Sequence, residues 1–527
     1  MSSRRISNQT FGLALCLGCL VLAAAVTWLG SEASARRMLV NTFVLCGWGT
    51  VISLPVGVLL ALLLTRTNVK GKRLAWLLLV TLLFLPLYST AAGWIAVFGK
   101  LSSQAPAFFQ TTQPLVEGMP AVIWIHAMAA IPWVTLIVSL GLAAIPQEVE
   151  EAAILDVTPV QFVLGVGLRY YLPFILAAGL FVIITAAGEM TVTNLYVVPT
   201  YTEELYNNFM LTRDAYSAGV QNLPGICGAV LMAVAVCGMI ASLLPAGFGQ
   251  RFHAPRKYEL GSWRWPLTLT SWSILLLVFG VPLISLLWKA GLVKQEIGSE
   301  HWSLLAVIQM LFTMPYRFRR EFGVSAHYAA WGAIAALLVG LPLTILARAG
   351  GMRRWPAIVT AAICWAIPGP IVGLSIIGLL NWNVGLLVFL YDKTPLAPSL
   401  AMGIKALPIT ILILWPAFAS IPRQTLEAAQ LDGARRLTLI LRIMLPQRIG
   451  AIAAAAVIAF AIGLADLAWS LVVLRTDTVQ RRVFGLLHAG VEEQVAGVSL
   501  VMLGLYFVLA VLLQALFTRW TAPRKPT

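Results

Sequence analysis

Residues 426–446 read LEAAQLDGARRLTLILRIMLP, a polar and basic stretch set between long apolar runs. It is too hydrophilic to cross a membrane. Glu427, Ala428 and Ala429 suit a helix, Gly433 can end that helix in a left-handed turn, and Pro446 marks entry into the next helix. Arg435, Arg436, Arg442 and Arg448 hold the stretch on the cytoplasmic side. An imperfect copy, EAAILDVTPVQFVLGVGLRYYLP, runs from Glu151 to Pro173. Two such polar stretches between long apolar runs fit an all-α polytopic membrane protein.

Composition agrees. The 527 residues are 60% hydrophobic and 11% charged, with a mean hydropathy of +0.88. Soluble domains carry about 25% charged residues, so this balance excludes a soluble fold. The formal net charge of +15 is spread in short patches between apolar runs, as positive-inside topology requires. No nucleic-acid partner is expected. The six cysteines, Cys16, Cys19, Cys46, Cys227, Cys237 and Cys364, fall inside apolar runs and read as packing residues. The five histidines show no metal-ligand spacing, so no metal site is expected. No G-x-x-x-x-G-K-[ST] occurs, and any ATP must be bound by a partner.

About twelve spans are expected. In the first half they cover 11–29, 39–64, 74–98, 120–145, 173–198 and 224–244. In the second they cover 266–288, 327–347, 356–380, 400–421, 449–474 and 496–517. The first apolar run is read as a retained span, although Ala33-Ser34-Ala35 resembles a signal cleavage site. The basic linker 250–265 separates the halves and is expected inside, as are both termini. Arg317, Arg319 and Arg320 fall in the outer segment 289–326 against the positive-inside pattern, and a place at the membrane surface beside lipid phosphates is one account of them.

The halves repeat each other. Pro132 and Pro408, Pro146 and Pro422, Glu151 and Glu427, and Asp156 and Asp432 are each 276 residues apart. Arg66 and Arg348, like Pro86 and Pro368, are 282 apart. Prolines and charges are costly in membrane helices, so their coincidence weighs more than matching leucines. The expected plan is two tandem six-span repeats in the same orientation, 1–249 and 266–527. Pro86, Pro132, Pro368 and Pro408 are expected to kink spans at the core.

The E-A-A spacing with glycine six residues on, present at 422–446 and in altered form at 146–172, resembles the loop of permease subunits in ATP-binding-cassette importers. One chain carrying two such loops is similar to the fused iron(III)- and thiamine-type permeases of bacterial inner membranes. The resemblance implies that Glu151, Ala152, Ala153 and Asp156, with Glu427, Ala428, Ala429, Asp432 and Gly433, form two coupling loops. It implies docking of two ATPase copies, which hold ATP and Mg, and delivery of solute by an extracytoplasmic binding protein. The chain itself would bind no cofactor and catalyse no bond chemistry. Iron(III) is the first expected solute and thiamine the second. The alternative is a twelve-span secondary transporter. That class carries an acidic–basic signature after its second span, and 65–73 has no acidic residue.

The first loop departs from the pattern. Val157 stands where glycine is wanted, and a β-branched residue resists the left-handed turn. The turn is expected to be remade around Thr158 and Pro159. Glu189 and Asp466 form a second pair, each inside the span that follows a loop. A carboxylate at that depth is costly unless it faces protein or water. It fits a translocation pathway or gate, and equally a hydrogen-bonded helix interface.

Overall fold

The computed structural model describes residues 33–98, 115–143, 145, 147–212, 257–294, 300–382, 384–465 and 477–521. The expected spans 11–29 and 224–244, and Asp466, lie outside these residues. In the first half the helices are α1 (Ala33–Arg66), α2 (Lys72–Phe84), α3 (Leu87–Phe98), α4 (Gly118–Ala143), α5 (Gln147–Ile154), α6 (Leu168–Ala187), α7 (Thr191–Leu195) and α8 (Tyr201–Thr212). Then follow α9 (Arg264–Leu275), α10 (Val281–Gly291), the hairpin β1 (Leu292–Lys294) and β2 (Glu300–Trp302), α11 (Leu304–Arg317) and α12 (Arg319–Arg348). The chain continues through α13 (Trp355–Ala366), α14 (Gly369–Leu380), α15 (Gly385–Lys393) and α16 (Leu396–Ala419). It ends with α17 (Arg423–Leu431), α18 (Ile449–Ala465), α19 (Val479–His488) and α20 (Glu492–Thr521).

Seven of the helices among the described residues are long and apolar enough to cross a membrane, and three sharply bent pairs raise the figure to ten. The protein is an all-α polytopic membrane protein. Helices α1, α4 and α6 pack on one another, and α12, α16 and α18 form a second trio of the same kind. Close helix approach uses small residues, as in other membrane bundles. A Cβ on Gly57 would lie 2.5 Å from Val134 Cγ1, and one on Gly332 would lie 2.6 Å from the Met402 Cβ.

The expected spans 74–98 and 356–380 are not single helices. Helices α2 and α3 meet at 104°, and α13 and α14 at 105°. Each break falls just before a proline, Pro86 or Pro368, so the expected kinks are outright breaks. The residue before proline is pushed out of the helical region. Leu85 (ψ 124°) and Ile367 (ψ 121°) are extended accordingly. Pieces of 12 or 13 residues rise roughly 18–20 Å, short of an apolar layer about 30 Å thick. Pro132 and Pro408, by contrast, sit inside unbroken helices.

Within the segment 289–326, expected outside, the described residues form the paired strands β1 and β2 and the helix α11, and α12 begins eight residues before the expected 327. Helices from the two sequence halves interlock. Helix α10 packs on α3, and α20 packs on both α2 and α3. Lys289 at the end of α10 pairs with Glu492 at the start of α20 at 2.6 Å. A cation at a helix C-terminus and an anion at an N-terminus both complement the helix dipoles.

Candidate functional site

Both E-A-A stretches fold as a short helix, a turn and a second helical segment. In α17, Glu427 and Ala428 are exposed and Ala429 is half-buried; in α5, Glu151, Ala152 and Ala153 show the same pattern. Asp156 and Asp432 are exposed at the turns. Glu151 accepts a hydrogen bond from Gln147 at 2.7 Å, one helical turn back. Leu155 is 85% exposed and Leu431 is 89% exposed, 276 residues apart at the same place in each loop. Val160 and Leu164 in the first loop, and Leu437 and Leu441 in the second, continue the exposed apolar surface beyond each turn. Each loop therefore offers a polar helix with an uncovered leucine at its tip, a surface suited to a protein groove.

The two turns close differently. Gly433 is left-handed (φ +84°), with Ala434 N–H donating to Ala429 O and Gly433 N–H to Gln430 O, both at 2.9 Å. That pair of bonds is a Schellman cap. Val157 is absent from the residues of positive φ, and its N–H donates to Ala153 O at 3.0 Å. Thr158 then caps the next segment, which starts at Pro159. Its N–H donates to Gln161 Oε1 at 2.9 Å, and Gln161 N–H donates back to Thr158 Oγ1 at 3.4 Å. A capping box with proline at the first helical position thus replaces the glycine turn. Gly433→Ala should cost about 1 kcal/mol, read as roughly fivefold faster amide exchange in α17. Val157→Gly should bring no gain, because nothing there needs positive φ.

After each turn comes a π-helical segment, Phe162–Gly167 or Leu439–Met444. The first leads straight into α6. The second is followed by a 73° bend into α18, where Pro446 and Arg448 precede the helix.

Arg66 and Arg348 end the helices that precede the bent pairs, and each reaches the C-terminus of the helix leading into a loop. Arg66 Nη2 donates to Leu142 O, and Arg348 Nε donates to Phe418 O at 3.1 Å. Arg348 Nη2 also donates to Ile421 O at 3.0 Å. The last carbonyls of a helix lack intrahelical donors and carry negative partial charge, which a guanidinium satisfies. The first half adds a carboxylate. Arg66 Nη1 lies 2.7 Å from both oxygens of Glu150, and both residues are buried. Tyr258 of the linker donates its hydroxyl to Glu150 at 2.9 Å and its N–H to Arg66 O at 2.7 Å. Leu426 occupies the corresponding place in the second loop. Sequence reasoning singled out Glu151 and passed over its neighbour. Nothing in the sequence separates two adjacent glutamates of which one is buried and the other exposed.

Glu189 does not lie within a continuous span as expected, because α6 ends at Ala187. Gly188 and Glu189 form the break, and Glu189 caps the next helix. Its Oε1 accepts from Thr191 N–H at 2.5 Å and its Oε2 from Val192 N–H at 3.1 Å. His126 Nε2 on α4 lies 3.3 Å from Glu189 Oε2. Both line a cavity of about 180 Å³, walled by Leu85, Pro132 and Phe181 and edged by Thr90. Phe181 in turn meets Trp365 of α13 edge-on at 4.9 Å. His126 was legible only as an ionisable residue in an apolar run. Its pairing with Glu189 bridges 63 residues and needs the fold. Among the described residues, no group of three or more His, Cys, Asp or Glu could hold a metal ion.

No family model, curated protein or solved structure matches this chain.

Proposed function

We propose that this chain is the transmembrane permease subunit of an ATP-driven importer in the bacterial inner membrane. In this reading 1–249 and 266–527 are two tandem six-span repeats in the same orientation, joined by a cytoplasmic linker, with both termini inside. Two copies of an ATPase dock beneath the loops, and an extracytoplasmic binding protein delivers the solute. Closure of the ATPase dimer moves α5 and α17, and the motion passes through Arg66 and Arg348 to the ends of α1 and α12. The observation that carries the proposal is the pair of exposed loop helices with Leu155 and Leu431 uncovered at matching positions. Iron(III) is the first solute proposed and thiamine the second, on the resemblance of the fused two-loop chain. Glu189, facing the cavity beside α6, is proposed to line the pathway or its gate.

The test is co-purification. The chain would be expressed with its candidate ATPase, and hydrolysis assayed in liposomes with and without binding protein. A stable complex whose hydrolysis rises with binding protein supports the importer. No association at all would return the chain to the secondary-transporter class.

A further inference from the structure

The short helix α7 sits where the two sequence halves meet, packed on α3, α4, α8 and α19. The halves also cross here: α8 packs on α14, and α19 packs on α3. Each end of α7 is tied to a histidine, and each of those rings faces two oxygen acceptors. His126 Nδ1 is 2.8 Å from Val122 O, so that nitrogen carries the hydrogen. Its other nitrogen faces Glu189 Oε2, which already accepts from Val192 N–H. With Glu189 ionised and His126 neutral, two lone pairs would oppose each other. At the other end, His488 Nδ1 lies 2.9 Å from Phe484 O, and Nε2 lies 3.0 Å from Asn194 Oδ1. The Asn194 Nδ2 donates to Glu203 Oε1 at 3.1 Å, which turns its Oδ1 toward His488. Asn207 Nδ2 donates to the same oxygen at 2.5 Å.

We propose that α7 is a proton-held latch between the halves, closed when one proton sits in the His126–Glu189 pair and another in the His488–Asn194–Glu203 chain. The second chain has two complete arrangements. Either His488 is charged and Glu203 ionised, or the amide flips, Glu203 donates to Asn194 and neutral His488 accepts. Both contain one proton more than the fully deprotonated chain, which leaves one contact between two acceptors. Burial pushes the Glu203 carboxyl up, against the pull of the Asn207 and Asn194 amides, and neighbouring Glu204 adds to the rise. A raised carboxyl favours holding the proton, so the link is complete at lower pH and is lost as pH rises. The other titratable groups on the helices around α7 are Tyr88 on α3, Tyr201, Glu204 and Tyr206 on α8, and Arg481 and Arg482 on α19. None is an imidazole, the side chain whose charge ordinarily changes between about pH 5 and 8. The latch does not rest on the proposed function, and it is tested on the purified chain without an ATPase.

The experiment is amide exchange in nanodiscs from pH 6 to 8, corrected for the intrinsic rate, on peptides covering 191–195 and 479–490. Protection should fall with rising pH, by up to roughly tenfold per unit over the range where opening the latch releases the proton, and level off above it. Glu203→Gln supplies an N–H donor to Asn194 that needs no proton, so it should keep the protection of 479–490 and remove its pH dependence. Glu189→Gln should likewise remove the pH dependence at the start of α7, but at a lower protection throughout, because an amide nitrogen that donates to His126 cannot also accept from Val192 N–H. Constant protection across pH in the native chain would overturn the latch. So would a Glu203→Gln variant that loses protection equally at every pH, the mark of an ordinary structural hydrogen bond.

Discussion

Glu427→Lys is expected to abolish ATPase co-purification and binding-protein-stimulated hydrolysis while leaving the chain folded in the membrane. Glu427 is exposed on α17, and exposed substitutions away from caps usually change stability by within about 0.5 kcal/mol. A reversed charge on the proposed docking surface is different. A hot-spot position near the centre of an interface costs about 2 kcal/mol or more, near 30-fold in affinity. Glu151→Lys occupies the matching exposed place on α5, whose turn is closed by its own capping box, so a comparable loss is expected. Titrating detergent-solubilised chain with ATPase gives both numbers. Unchanged affinity in both variants would sink the importer reading. Loss confined to Glu427→Lys would assign coupling to the second loop.

Glu150→Ala should be the most destabilising single change in the first loop. It strips the partner from Arg66, whose guanidinium is buried and cannot reach water. Breaking a buried pair from one side costs about 3–5 kcal/mol, because a bare charge is left behind. The damage should spread to the linker, since Tyr258 loses its acceptor as well. Removing both charges, as Arg66→Met with Glu150→Leu, should recover most of the loss, because a well-packed apolar pair avoids the desolvation. Thermal unfolding of the three variants in one detergent decides it. A Glu150→Ala shift under about 1 kcal/mol, or a double variant as unstable as the single, would mean the pair does not hold the loop. The second half offers a comparison: among the described residues Arg348 grips only backbone carbonyls, and Leu426 takes the place of Glu150.

The membrane class was legible because apolar runs of about 20 residues and a paucity of charge have few other readings. The turn at Gly433 was legible because one residue type dominates left-handed helix ends. The repair of the first loop through Thr158 and Pro159 was legible for the same local reason. The breaks at Pro86 and Pro368 were visible as positions and not as angles. A proline disfavours the helical conformation in its predecessor, and surrounding packing decides whether the helix runs on or breaks into two arms at a right angle. Pro132 and Pro408 carry the same residue and leave their helices unbroken.

By itself, then, the sequence determined an all-helical membrane chain, the two polar loops and their local caps. Each of these depends on residues within a few positions of one another. Tertiary structure alone decided which charges meet. Arg66 with Glu150 and Tyr258, His126 with Glu189, and Asn194 with both Glu203 and His488 are mostly joined across 60 to 300 residues. A buried polar group must find a partner, but any of several would satisfy it, and only the packed arrangement of helices selects one.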